Sequence, residues 1–110
     1  MADKTFIISG RGPKREIDTE KPVGFEQLSI TDTAKALASI PANANGAVIT
    51  VEDATMRYRD DGTNPTATVG LRVFVGGTIV LNSRDSLDKF RAIRTGSSNS
   101  EINVSYYERR

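Results

Sequence analysis

The sequence predicts an all-β domain, an antiparallel two-sheet β-sandwich of the jelly-roll-like or Ig-like kind. Short apolar segments alternate with polar residues at a period of two, which sends successive side chains to opposite faces of a sheet. Clusters of turn-forming residues separate these segments about every 8–12 residues, as in sandwiches and barrels. We therefore expect about six to eight short strands, at most one or two short helical turns, and an extended N-terminal arm.

The clearest strand pattern covers residues 47–52, in which Ala47, Ile49 and Val51 take the apolar positions. After Asp53 the apolar positions shift by one residue. Such a shift inside a strand pattern predicts either a β-bulge or a strand that crosses from one sheet to the other.

Turn-forming residues divide the rest of the central region. Residues 60–65 (DDGTNP) contain nearly every residue type that favours a turn. Gly76 and Gly77 can both adopt a positive φ angle, so they predict a two-residue hairpin turn between a strand at residues 71–75 and a return strand at residues 78–81.

The chain divides into an N-terminal arm, residues 1–24, and a single sandwich domain, residues 25–110. Residues 10–24 are charged and rich in glycine and proline, so they bury too little apolar surface to fold by themselves. Two interpretations of the arm remain open, a flexible leader or a segment that orders against the sheet edge of a neighbouring subunit. The second interpretation draws on an apolar triplet near the start of the chain: Phe6, Ile7 and Ile8.

Two further segments carry helical patterns. Residues 32–40 predict an irregular segment or one short helix, and a strand pair is the alternative. Residues 86–90 predict one helical turn capped by Asp85 or Ser86, and the chain then becomes extended at residues 91–94.

The last strand places Ile102, Val104 and Tyr106 on one face and Tyr107 on the other. Together with the earlier strands it completes the predicted hydrophobic core. That core consists of Leu28, Ile30, Leu37, Ile49, Val51, Met56, Val73, Val75, Ile79, Leu81, Phe90, Ile93, Ile102, Val104 and Tyr106.

Composition argues against several classes of function. The 110 residues include no His and no Cys, which removes the commonest general base, the commonest metal ligand and cysteine chemistry. The formal net charge of +1 gives no electrostatic reason to expect a nucleic-acid partner. No apolar run approaches the roughly 20 residues that cross a membrane, and the N-terminus lacks the pattern of a signal peptide. We predict no catalytic residue, no metal and no cofactor.

Three residues of the sandwich are candidates for contact with a partner. Arg57 and Arg59 share one face of a strand and could bind a carboxylate or phosphate, although nearby aspartates favour local charge pairing. An outward Tyr107 is a third candidate because tyrosine is enriched at interfaces. In the arm, the candidates are Phe6, Ile7 and Ile8.

Three stretches of the sequence resemble one known family. They are ITVEDATMRYRDDGTNPTATVG at residues 49–70, FRAIRTGSSNS at residues 90–100 and INVSYY at residues 102–107. They are similar to the strands and turns of a family of small structural proteins from tailed bacteriophages, and the likeness covers about residues 44–107.

This resemblance implies a non-enzymatic virion protein, made in the host cytoplasm, that decorates the capsid or associates with the head or tail. Its partners would be the major capsid protein or another virion protein. Copies of the chain itself are also expected as partners, with a trimer plausible by analogy with decoration proteins. The alternative is a small carbohydrate- or ligand-binding β-module that takes part in adsorption.

Overall fold

The computed structural model describes residues 20–109, in which seven strands and one short helix are present. The elements in chain order are β1 (Glu20–Ile30), β2 (Gly46–Glu52), β3 (Met56–Arg59), β4 (Leu71–Val73), β5 (Thr78–Leu81), α1 (Arg84–Lys89), β6 (Arg91–Arg94) and β7 (Ser100–Arg109). The strands form two antiparallel sheets packed together, which confirms the predicted all-β sandwich.

The order of the strands favours the jelly-roll-like alternative over the Ig-like one. The larger sheet, sheet A, has the order β1-β7-β2-β5, and the smaller one, sheet B, has the order β4-β3-β6. An isolated antiparallel bridge between Lys35 and Ala92 adds a rudimentary fourth strand beside β6. With that bridge counted, each sheet has four strands, and the chain changes sheet at every connection except the one between β3 and β4, as in a jelly roll. The first two strands of an Ig domain lie in one sheet, whereas here the Lys35 strand, which follows β1 in the chain, lies in sheet B.

The shift in apolar phase after Asp53 marks a crossing between the sheets. β2 ends at Glu52 in sheet A and β3 begins at Met56 in sheet B. Asp53 turns the chain with a φ of 76°, a region that few residues other than glycine, asparagine and aspartate adopt. Of the two alternatives that the sequence left open, the crossing is therefore correct.

The predicted hairpin at Gly76 and Gly77 is wrong. β4 pairs with β3 in sheet B, whereas β5 pairs with β2 in sheet A, so the two glycines also lie at a crossing. Gly76 has a φ of 88°, and a Cβ added to Gly77 would lie 2.5 Å from Cγ1 of Val73. The glycines are needed for a tight turn, as predicted, but the strand that follows the turn joins the other sheet.

The short helix α1 confirms the predicted helical turn but begins earlier. Its N-cap is Ser83, whose hydroxyl accepts a hydrogen bond from the Ser86 amide, in place of the predicted Asp85 or Ser86. Leu87 is its buried residue. Residues 32–40 contain no helix and are irregular apart from the Lys35 bridge.

β1 begins at Glu20, five residues before the predicted start of the sandwich domain. Glu20, Lys21 and Pro22 pair with Arg109, Glu108 and Tyr107 of β7. Residues 20–24 therefore belong to sheet A, although their composition suggested an arm. The rest of the predicted arm, residues 1–19, lies outside the described residues.

The core between the sheets contains most of the predicted residues. Val75 is an error, since 56% of it is exposed at the crossing between β4 and β5. Ile93 lies on the outer face of sheet B and is only partly buried, while Leu28 and Val73 pack at the margin of the core. Several small or helical residues of the core were not predicted from the sequence: Ala44, Ala47, Leu87 and Ala92.

One partly buried polar contact joins three parts of the fold. The Tyr106 hydroxyl, inside the sandwich, donates a hydrogen bond to the Glu26 carboxylate on β1. The same carboxylate accepts hydrogen bonds from the amides of Ala38 and Ser39, at 3.2 and 3.0 Å. Burial, reinforced by the hydrogen bond to Glu26, raises the pKa of Tyr106. Tyr106 thus remains a neutral donor that ties β7 and β1 to the irregular segment.

The strand phase predicts which substitutions destabilise the fold. Ile49→Ala and Val104→Ala each remove a fully buried side chain, and we expect a loss of roughly 2–4 kcal/mol in the free energy of unfolding. Thr50→Ala and Asn103→Ala, on the outer face of the same strands, should cost far less. Denaturant midpoints measured for the four variants test this, and equal losses in the two pairs would contradict the assigned faces.

Candidate interaction surfaces

Arg57 holds a loop of its own chain. Its Nε donates to the Ala67 carbonyl at 3.2 Å and its Nη1 donates to the Gly70 carbonyl at 2.8 Å. Pro65, in the same loop, is buried. The guanidinium therefore binds residues 60–70, the connection between β3 and β4, and these contacts use much of its capacity to donate to a partner.

Arg59 forms an ion pair with Asp61, the local pairing that the sequence favoured. Its Nε and Nη2 donate to the two carboxylate oxygens at 3.1 and 2.5 Å. The Thr63 amide also donates to Asp61 at 3.1 Å. The hydrogen bond from Arg59, and after it the one from Thr63, lower the pKa of the Asp61 carboxyl to about 2. Two parallel hydrogen bonds between Arg59 and Asp61 thus close the turn that follows β3.

The outer face of sheet A carries a row of apolar side chains. The register places Phe25, Ser105, Val48 and Val80 side by side across all four strands. Phe25 is 66% exposed and Val80 is 54% exposed. Tyr107 lies two residues from Ser105 on β7, on the same face and diagonal to Phe25. We call this set, Phe25, Val48, Val80 and Tyr107, the sheet A face.

One side of the sandwich is closed by residues 31–39. Lys35 exchanges two backbone hydrogen bonds with Ala92 of β6, at 2.9 and 3.0 Å, and the Arg94 amide donates to the Thr31 carbonyl. Next to β1, Lys35 Nζ donates to the Ser29 carbonyl at 2.7 Å. The segment therefore covers both β1 and β6 on this side.

The opposite side is open. Its margins are β4 and β5, and no strand among residues 20–109 pairs with the outer edge of either. Four of the exposed large apolar residues lie in one short stretch here: Val69, Leu71, Phe74 and Val75. The Arg72 guanidinium lies 4.9 Å from the centre of the Phe74 ring. We call residues 69–75 the β4-edge surface.

A depression of about 270 Å³ adjoins this surface. Leu71 and Gly70 form its side next to β4, and the turn after β3 forms the other side through Arg59, Asp60 and Asp61. The depression therefore combines an apolar margin with a charged one.

The structure separates the predicted contact residues. Arg57 and Arg59 serve the connection after β3, whereas Tyr107 lies on the sheet A face. Phe6, Ile7 and Ile8 fall outside the described residues.

Val48 and Val80 were not predicted as surface residues, because the register that aligns them with Phe25 joins strands far apart in the chain. Only the alternation along each strand, which places both side chains on the outer face of the sheet, could have indicated them.

Comparison with protein-family models, with curated proteins and with solved structures found no match to this chain. Within residues 20–109, no helix is long and apolar enough to cross a membrane. The same residues contain no group of three or more acidic side chains placed to hold a metal ion.

The hydrogen bonds from Arg59 predict an unusually low pKa for the Asp61 carboxyl. The Asp61 carboxyl should titrate near pH 2 in a carbon-detected NMR titration, below its usual value of 3.8. Because the folded-state pKa is lowered, the stabilisation from this contact is fully present above about pH 3.8 and is lost as the pH falls through about 2. The Arg59→Met variant should move the titration back toward 3.8. An unchanged titration in that variant would contradict the assigned cause.

Proposed function

We propose that this chain is a non-enzymatic structural subunit of a tailed-phage particle, a capsid-decorating or head- or tail-associated protein that acts through protein–protein contacts. The observation that carries the proposal is the sheet A face. Phe25 and Val80 are more than half exposed at the two edges of the sheet, with Val48 and Ser105 between them. Large apolar side chains left exposed on one face of a sheet are typical of surfaces that bind other proteins.

The surroundings of the apolar row suit a protein interface. Next to it, Gln27, Asn103, Thr50 and Thr78 form a polar row across the same four strands. Gln27 donates to Asn103, and Asn103 donates to Glu52, so this border is already hydrogen-bonded. An apolar centre beside a polar border is the usual anatomy of an interface.

Two further lines of support concern the virion. The resemblance of residues 49–70, 90–100 and 102–107 is to structural proteins of tailed phages. The jelly-roll order of strands is also an architecture that viral capsid proteins use, which is an argument from fold alone.

The alternative proposal is a carbohydrate- or ligand-binding module for adsorption. Phe25 and Tyr107, diagonal neighbours on the sheet A face, are the observation that favours it, because aromatic rings are suited to stack on sugars. Lectins use the jelly roll as well. Binding to a glycan array, lost in Phe25→Ser, together with absence from particles, would favour this alternative.

The first test of the virion proposal is the copy number of the chain in purified phage particles, measured by quantitative mass spectrometry. Hundreds of copies would support a place on the head surface or along the tail tube, and a handful would support a connector or tip. Absence of the chain from particles would overturn the proposal.

The sheet A face can then be tested on particles that lack the chain. The double variant Phe25→Ser/Val80→Ser should bind such particles at least about tenfold more weakly than wild type, because tenfold corresponds to about 1.4 kcal/mol and two exposed apolar side chains are lost. The matched control is Gln27→Ser/Thr78→Ser, two residues away on the same strands and face, which should bind nearly as well as wild type. Equal losses in the two variants, with melting temperatures unchanged, would contradict the role of the apolar row.

A further inference from the structure

In sheet B, the core-facing side chains of β4 are less buried than those of the neighbouring strand β3. Leu71 pairs with Tyr58, and Val73 pairs with Met56. Both partners face the core, since Met56 is fully buried and Tyr58 stacks on Phe90 with ring centroids 5.4 Å apart. Leu71 nevertheless remains 58% exposed, and Val73 is only partly buried. Among residues 20–109, these two core-facing side chains are thus incompletely covered on the open side.

β5, the other margin of the open side, does not share this deficit. Its core-facing residues Ile79 and Leu81 are buried, and its exposed Val80 points to the outer face of sheet A. The missing cover is therefore confined to β4, whose outer edge also offers main-chain groups that no strand among the described residues uses.

A second copy of β4 is a poor partner for this edge. Antiparallel pairing of the two strands about their middle residue would bring Arg72 directly opposite its counterpart. Like charges directly opposite each other destabilise a strand pair. The partner of the edge should instead be an extended segment with no basic residue opposite Arg72 and with apolar residues at the core-facing positions.

The chain contains one such segment outside the described residues. Residues 5–9, Thr-Phe-Ile-Ile-Ser, carry no charge and hold three consecutive large apolar residues. Five extended residues span about 17 Å, enough to run along β4 and the residues after it. In a strand, Phe6 and Ile8 share one face and would cover Leu71 and Val73, while Ile7 would lie on the outer side.

We infer that the β4-edge surface accepts residues 5–9 of a second copy of this chain as an added strand. The inference rests on the proposed function, in which the chain works by assembling with other proteins, and it names one of those partners. Strand addition supplies main-chain hydrogen bonds along the edge and apolar contacts at alternate residues.

The position of β1 is the reason for assigning the donor to a neighbour. β1 lies on the closed side, next to β6, whereas β4 lies at the far margin of sheet B. Residues 10–19, the connection to Glu20, reach at most about 36 Å when fully extended. To reach its own β4, this connection would have to cross about 14 Å of sheet and about 10 Å between sheets while wrapping around one end of the sandwich. A neighbouring copy needs no such path.

The test uses full-length variants in which either the donor or the acceptor is disabled. Phe6→Ser/Ile8→Ser removes the donor side chains, and Leu71→Ser/Phe74→Ser removes exposed apolar side chains of the acceptor. We expect wild type to self-associate in light scattering and ultracentrifugation, and each variant alone to associate at least about tenfold more weakly. Phe25→Ser/Val80→Ser, equally exposed but on the sheet A face, is the matched control and should associate like wild type.

The decisive measurement is an equimolar mixture of the donor and acceptor variants. Each supplies the part that the other lacks, so the mixture should form a complex of two chains that neither variant forms alone. A variant that merely failed to fold would not restore association, so recovery would support the assigned pairing. A wild type that stays monomeric at about 100 μM, or a mixture that stays monomeric, would overturn the inference.

The outcomes also separate this inference from the proposed function. If self-association is unaffected in both variants while particle binding still depends on Phe25 and Val80, the added strand is wrong and the structural role stands. If the mixture recovers association but particles lack the chain, the added strand is supported and the proposed role in the virion is wrong.

Discussion

The fold depends on β7, the ten-residue strand that pairs along its length with both β1 and β2. Its inward residues Ile102, Val104 and Tyr106 are fully buried, so the strand supplies the centre of the core as well as the centre of sheet A. Through Tyr106 it also reaches the Glu26 carboxylate, whose remaining hydrogen bonds, from the amides of Ala38 and Ser39, position the end of the closing segment. Loss of this strand would leave β1 without a partner and β2 with only the short β5, because nothing else among residues 20–109 joins the two halves of sheet A.

Among residues 20–109, a covering segment lies on one side of the sandwich and not on the other. Residues 31–39 pair with β6 at Lys35 and provide hydrogen-bond partners for β1, whereas β4 and β5 end in open edges. The rudimentary strand at Lys35 is therefore more than an irregularity, since it pairs with the edge of β6, whereas the edge of β4 stays unpaired among the described residues. An open edge with exposed apolar residues is a liability for a monomer and an asset for a protein that assembles.

The sequence predicted what depends on local pattern. The alternation at Ile49 and Val51 and at Ile102 and Val104 identified the buried faces, and the shift after Asp53 located a crossing. It failed where the answer depends on pairing between distant strands. Gly76 and Gly77 have the same turn chemistry whether the next strand returns beside the last one or joins the other sheet. Residues 20–24 look like an arm until β7 is known to pair with them. Arg57 was predicted to be a surface cation because contacts with main-chain carbonyls cannot be recognised from the sequence. The sheet A face could not be predicted because its residues are brought together by the register of distant strands.

Arg57 donates hydrogen bonds to the carbonyls of Ala67 and Gly70 in the loop of residues 60–70, and contacts with main-chain carbonyls do not depend on which side chains the loop carries. The constrained positions in this loop are Asp61, which pairs with Arg59, Gly62, which has a φ of 85°, Pro65, which is buried, and Gly70, where a side chain would crowd Pro65 and the Arg57 stem. Thr63, Asn64 and Ala67 are exposed. Substitutions at the exposed positions should therefore change the chemistry of this surface while the path of the loop stays the same.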